Sequence, residues 1–120
     1  MGSIYCLYST EDGMPRYVGQ TEQRPDQRHK RHLTAALEME KGSLYDWIRD
    51  VLRKGHLVEV YVLQEDVIPA DLDLYEEYWI GSFPSLLNVR RVGPSPAEPT
   101  AVGRDIIAAI RRMLPRDPAT

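Results

Sequence analysis

The stretch SIYCLYSTEDGMPRYVGQT, Ser3 to Thr21, sets two short apolar runs, each with its tyrosines, on either side of a polar Asp12-Gly13. Ile4, Tyr5, Cys6 and Leu7 on one side and Tyr17 and Val18 on the other are good strand formers, and Asp-Gly is among the strongest short turn signals. The segment is predicted to be a β-hairpin. That accounts for the backbone and leaves open why one face of it carries Tyr5 and Tyr17.

Downstream, Arg24-Pro25-Asp26 reads as a helix start: proline is tolerated in a first turn, and an acid there complements the positive helix end. A helix is predicted over Pro25 to Glu40. Lys41-Gly42-Ser43 breaks it, with Gly42 suited to the left-handed position after a helix and Ser43 placed to cap the next. Leu44, Trp47, Ile48, Val51 and Leu52 recur at helical spacing up to Gly55, which makes this second helix amphipathic and Trp47 a core residue. Leu57 to Leu63 is rich in β-branched residues and reads as a third strand, with Val58, Val60 and Val62 on one face. An acidic loop holding Pro69 precedes a third helix over Ala70 to Phe83, which carries Leu72, Leu74, Tyr75, Trp79 and Ile80 and is stopped by Pro84. GPSPAEPT, residues 93–100, reads as an irregular proline-rich linker. Val102 to Leu114 follows as a helix with Ile106, Ile107 and Ile110 on one face, ahead of a frayed tail.

This order predicts an α+β fold: a three-stranded antiparallel sheet flanked by helices (strand-strand-helix-helix-strand-helix), plus a C-terminal helix. Residues 1–92 form the main domain, and 93–120 a linker and short helix packed on it or trailing it. With 120 residues, 42% hydrophobic and 28% charged, the composition suits one core rather than two. No apolar run approaches the ~18 residues that span a bilayer. No basic segment followed by an apolar stretch and a cleavage site opens the chain, so a cytoplasmic location without membrane contact is expected. The lone Cys6 excludes an internal disulfide and a cysteine-based metal site, and its place in a strand makes it a buried apolar residue.

A net charge of −3 argues against coating nucleic acid by bulk attraction. Its distribution is uneven. Arg24, Arg28, Lys30, Arg31, Lys41, Arg49, Arg53 and Lys54 fill the middle of the chain together with His29, His32 and His56, whereas Glu59 to Glu77 holds seven acids and no lysine or arginine.

Cleaving a phosphodiester needs a base or an oriented water, cationic stabilisation of the phosphate as charge builds, and a metal held by a hard oxygen ligand. Tyrosines on a hairpin face, a basic helix and a later carboxylate supply such groups in kind. Over Ile4 to Asn88 the sequence resembles the GIY-YIG nucleases. Ser3-Ile4-Tyr5 stands where that family has Gly-Ile-Tyr, and Tyr17-Val18-Gly19 where it has Tyr-Ile-Gly. The family's first-helix arginine, with a histidine four residues on, is matched by Arg28 and His32; its glutamate four residues before an isoleucine by Glu76 and Ile80; its closing Leu-Asn by Leu87-Asn88. Leu44-Tyr45-Asp46-Trp47-Ile48 is similar to the second helix of phage-type members. Ser3 and Val18 are departures that remove no reacting group, although a side chain at position 3 tightens backbone approach at the strand start.

The resemblance implies metal-dependent hydrolysis of DNA by Tyr5, Tyr17, Arg28, His32 and Glu76 on one sheet face. It implies one Mg²⁺ or Mn²⁺ held by Glu76, a phosphate oxygen and water, and a structural or phosphate-positioning role for Asn88; Gly19, Arg24 and Arg31, like Asn88, are expected toward the substrate. Tyr5, assisted by His32, is the expected proton acceptor; an ordinary phenol with a pKa of about 10 needs the charges of Arg28 and the metal for that role. Arg28 is expected to brace the phosphate with its fork of donors, and Tyr17 to orient it.

Taken singly, each residue has a plainer reading. Tyrosines pack cores, and Arg28 and His32 share a helix face whatever they do. His29, Lys30 and Arg31 read as a solvated basic face. Glu76 and Glu77 cannot both point inward; family spacing selects Glu76 and leaves Glu77 a surface acid. The alternative from another class is a catalytically silent nucleic-acid or protein interaction module of the same fold, against which stands the presence of every expected polar group. No zinc-finger or helix-turn-helix signature is present. DNA contact over the Arg24 to Lys54 surface with weak sequence preference is therefore expected, unless a homodimer or a separate partner supplies recognition.

Overall fold

In a computed structural model that describes residues 1–88 and 93–115, β1 (Gly2–Ser9) and β2 (Pro15–Thr21) pair antiparallel across the Asp12-Gly13 turn. Local chemistry closes that turn: the Met14 N–H donates to the Asp12 carboxylate and the Gly13 N–H to the Ser9 carbonyl, both at 2.9 Å. Gly13 takes a φ of 72°, which costs a residue without a Cβ no steric strain. β3 (Val58–Val67) pairs antiparallel with the other edge of β1, giving the order β2-β1-β3. Helices α1 (Pro25–Leu37) and α2 (Ser43–Arg53) connect β2 to β3, and α3 (Leu72–Ile80) and α4 (Ala101–Met113) follow. The fold is α+β with the predicted order of elements.

Alternation along β1 divides the core in two. Ile4, Cys6 and Tyr8 face α3 and α4, packing with Trp79, Ile80, Ile107 and Ile110, while Tyr5 and Leu7 face α1 and α2, packing with Ala36, Ile48 and Val51. A strand buried on both sides reads in sequence as an unbroken apolar run, and β1 does. The C-terminal helix α4 belongs to this core. The Thr100 hydroxyl caps it by accepting from the Gly103 N–H at 3.1 Å, and the Thr100 N–H donates to the Ser82 carbonyl at 3.1 Å. Gly103 lies so close to that carbonyl that a Cβ would collide with it. Among the described residues no helix is long and apolar enough to cross a membrane. The domain boundary expected at residue 92 falls in 89–92 and the expected frayed tail largely in 116–120, both outside the described residues.

Several expected boundaries move, each for a physical reason. α1 ends at Leu37, not Glu40, because Met39 turns the chain with a φ of 62°. The left-handed position after the helix is thus Met39, not Gly42. Gly42, with φ 137° and ψ 153°, is instead the N-cap of α2, in backbone territory essentially reserved for glycine, and Ser43 makes no capping bond. β3 runs four residues past Leu63, through polar Gln64-Glu65-Asp66, because its register against β1 shifts twice and Asp66 absorbs one shift with a φ of 57°. α3 begins at Leu72 after a 3₁₀ turn over Pro69–Asp71 and ends at Ile80, rather than spanning Ala70 to Phe83.

Candidate active site

Tyr5 and Gly19 are paired residues of β1 and β2, and the register puts Tyr17 opposite Leu7 on the same face. Tyr5 is only 1% exposed. Its ring crosses Gly19: a Cβ built there would lie 2.5 Å from the phenol oxygen and 3.0 Å from the Tyr17 ring. Gly19, expected near substrate, is buried under that phenol, and its role is to make room for it. The rings of Tyr5 and Tyr17 stand 6.4 Å apart, centroid to centroid.

α1 lays Arg28 and His32 over this pair, one turn apart on one face, as the i, i+4 spacing requires. His32 is 4% exposed, and its Nε2 is 2.8 Å from the Tyr5 hydroxyl; its ring meets Tyr17 edge-on at 5.5 Å. Burial, then the positive Arg28, with His29 and Arg31 adding to it, pushes the His32 pKa down to about 4, so the imidazole is neutral near pH 7. Burial also raises the Tyr5 phenol, helped by Tyr17 and Glu76, while Arg28 beside it acts the other way. Tyr17 is raised as well, by burial first and then by Glu76, with Arg28 again opposing. Both phenols therefore keep their protons, and the site at rest is a neutral Tyr5–His32 pair flanked by the Arg28 guanidinium.

Glu76 comes from the other layer. α3 packs on β1 and β2 over the opposite face of the sheet, and it is tied to β2 by the Gln20 amide, which donates to the Asp73 carboxylate at 2.6 Å. Glu76, one turn beyond Asp73 and half-buried, bears electrostatically on both phenols. Tyr5, Tyr17, Arg28 and His32 thus lie together on the α1 side of the sheet. Glu76 approaches them from α3. Glu77 is half-buried too, rather than the surface acid expected.

Four further residues are placed as follows. Asn88 spends its amide on one residue: the Val18 N–H donates to Oδ1 at 2.8 Å and Nδ2 donates to the Val18 carbonyl at 2.7 Å, which makes it a clamp on the outer edge of β2. Arg24 is the N-cap of α1, exposed and paired with Asp26 at 3.0 Å. Arg31 is exposed on the outer side of α1, where it lines a shallow cleft with Lys30, Thr34, Ala35 and Glu38. His29 is not solvated: it is half-buried, with Nε2 at 2.7 Å donating to the Val58 carbonyl and tying α1 to β3. Tyr45 was missed as a neighbour of the site. It stands in the first turn of α2 with its ring 6.3 Å from His32. The only signal was its place in the Leu44 to Ile48 stretch, since helical periodicity says nothing about proximity to His32.

A hard divalent cation is bound through few carboxylates when phosphate and water complete its shell. Among the described residues no group of three His, Cys, Asp or Glu could hold a metal unaided. The donor chemistry fits a single-carboxylate site at Glu76 that depends on substrate oxygens. No family model matches the chain, and no curated protein or solved structure matches it either.

Proposed function

We propose that this chain is a metal-dependent endonuclease of the GIY-YIG kind, hydrolysing DNA phosphodiester bonds. The observation that carries the reading is the buried Tyr5–His32 hydrogen bond, with Arg28 and Glu76 both bearing on the same phenol across 71 positions of sequence. A buried polar pair beside a guanidinium is an expensive way to pack a core, and such arrangements concentrate at sites of chemistry.

In this reading Arg28 and the Tyr17 O–H hold the phosphate, the guanidinium offering two parallel donors to its oxygens. Tyr5 takes a proton from the attacking water as its own proton passes to Nε2 of His32. Such a relay never needs a free phenolate, so the upward-shifted phenol is no obstacle. The phosphate charge offsets Arg28, one of the causes holding His32 low, and so makes Nε2 a better acceptor once DNA is bound. Glu76 would hold Mg²⁺ or Mn²⁺, which supplies Lewis-acid charge to the phosphate when bound.

The test is cleavage of supercoiled plasmid with and without Mg²⁺ or Mn²⁺. Nicking or linearisation by the wild-type protein and none by a folded Glu76→Ala variant is the expected result. Tyr5→Phe and Arg28→Ala should each lose at least about a hundredfold in rate, the scale for one general base or one preorganised charge. A folded wild-type protein inert with either metal would point to the silent interaction module instead.

A further inference from the structure

Four rings meet at His32: Tyr5, Tyr17, Tyr45 and the imidazole itself. Three are phenols, and their hydroxyls are in different situations. The Tyr5 oxygen is committed to His32 at 2.8 Å, whereas among the described residues neither the Tyr17 nor the Tyr45 hydroxyl has a protein hydrogen-bond partner. Neither oxygen is sealed from solvent. Tyr45 is half-buried, its ring packed on the α1/α2 side of the core. A phenylalanine would fill that space equally well, and a phenol set into a packed face ordinarily finds its hydroxyl a partner.

The position of that hydroxyl suggests the partner. Tyr45 is close enough to Tyr17 to bear on its ionisation, and Arg28 bears on Tyr17 as well. Among the described residues, two O–H donors without protein partners therefore lie near the Arg28 guanidinium, a set that suits an oxyanion with several acceptor oxygens and no donors of its own. α2 supplies Tyr45 from its first turn with the ring already packed against the core, so the donor needs no rearrangement to serve.

Resting on the nuclease reading above, we propose that Tyr45 is a phosphate contact of the site, donating its hydroxyl hydrogen to a non-bridging oxygen of the scissile phosphate alongside Tyr17 and Arg28. The charge on those oxygens grows as water attacks, so the bond strengthens on the way to the transition state and acts on kcat more than on KM.

Tyr45→Phe removes the hydroxyl and keeps the ring. With plasmid or duplex substrate and Mg²⁺ or Mn²⁺, it is expected to lower kcat roughly ten- to a hundredfold, the scale of a hydrogen bond to a charged group, with KM and the urea unfolding midpoint near wild type. Tyr17→Phe combined with it should lose less than the product of the two single losses, because both act on one phosphate. Unchanged kcat and KM in Tyr45→Phe would overturn this role and leave the nuclease reading standing. A rise in KM alone would also overturn it, placing the contact on another phosphate. A fall in rate matched by a fall in stability would assign Tyr45 to packing. A folded wild-type protein that cuts nothing would overturn both readings together, so the two failures are told apart by the wild-type lane.

Discussion

At Gly19 the constraint is space rather than backbone conformation. A methyl group there would sit 2.5 Å from the Tyr5 oxygen and 2.6 Å from the carbon bearing it, and a ring that is 1% exposed has nowhere to retreat. Gly19→Ala should therefore lower stability by about 1 to 3 kcal/mol, as overpacking does, and displace the Tyr5–His32 pair; an unfolding midpoint equal to wild type would show that the close approach carries no energy. His32 gives a pH signature. Its pKa is about 4 when folded against the ordinary 6.5, so between those values the unfolded chain binds the proton more readily and stability falls as pH falls. The contribution is complete above pH 6.5 and lost progressively toward pH 4. His32→Gln, which keeps a hydrogen-bonding group toward Tyr5, should show a smaller drop in urea midpoint between those pH values, whereas identical pH profiles would mean that His32 is not held neutral. Residue identity announced the pairing of Arg28 with His32, because four positions on a helix fix a shared face. It could not announce what Gly19 or Asn88 do, since each acts through a partner distant in sequence, Tyr5 on the neighbouring strand and Val18 at the sheet edge, that no local pattern names.

The edge of β2 shows how an element can be completed by something that is not a strand. The Leu87 N–H donates to the Arg16 carbonyl at 2.7 Å and Asn88 takes both backbone groups of Val18, so this segment covers a sheet edge that would otherwise invite another chain. Asn88→Ala leaves a strand N–H and C=O without these partners and should cost on the order of 2 kcal/mol, read as a lower melting temperature. Because the amide is occupied by Val18, KM for DNA should stay near wild type; a raised KM with unchanged stability would make Asn88 a substrate contact instead. Hairpin, helices and their order were legible in the sequence, since Asp12-Gly13, Pro25, Gly55 and Pro84 punctuate them. The end of β3 was not, because Gln64, Glu65 and Asp66 are polar and belong to the strand only through register shifts that β1 imposes. The α1 terminus was misplaced for a related reason: Met39 adopts a conformation that sequence rules assign to glycine, and Gly42 was the nearest glycine.

Across the molecule, charge and packing together limit how DNA would be read. The basic middle of the chain is about half compensated from within: Arg24 pairs with Asp26 at 3.0 Å, Arg49 with Asp46 at 2.5 Å, and Arg53 and Lys54 share Asp50, at 3.8 and 3.1 Å. Among the described residues of that stretch Arg28, Lys30, Arg31 and Lys41 form no ion pair, and the first three share α1. A duplex held by about three such cations should show a slope of log affinity against log salt near −2.7, at roughly −0.9 per phosphate neutralised. Sequence reading needs more than that: each good bidentate contact to a base edge contributes only about 1 to 3 kcal/mol of discrimination, and several must act from an element lying in the major groove. α4 does not offer one, because Ile107 and Ile110 are buried in the core shared with β1 and α3, Gly103 is buried against Ser82, and Arg111 donates to the Asp12 carbonyl at 3.1 Å. On the nuclease reading, the protein acting alone should therefore cut a mixed-sequence plasmid at many positions with shallow preference, and its binding should weaken with salt by the modest slope given above. Mapping the cleaved ends decides it. A single site of about eight base pairs or more, found with the purified chain alone, would require a recognition surface that α1 and α4 do not provide, and would point to a dimer whose second copy supplies it.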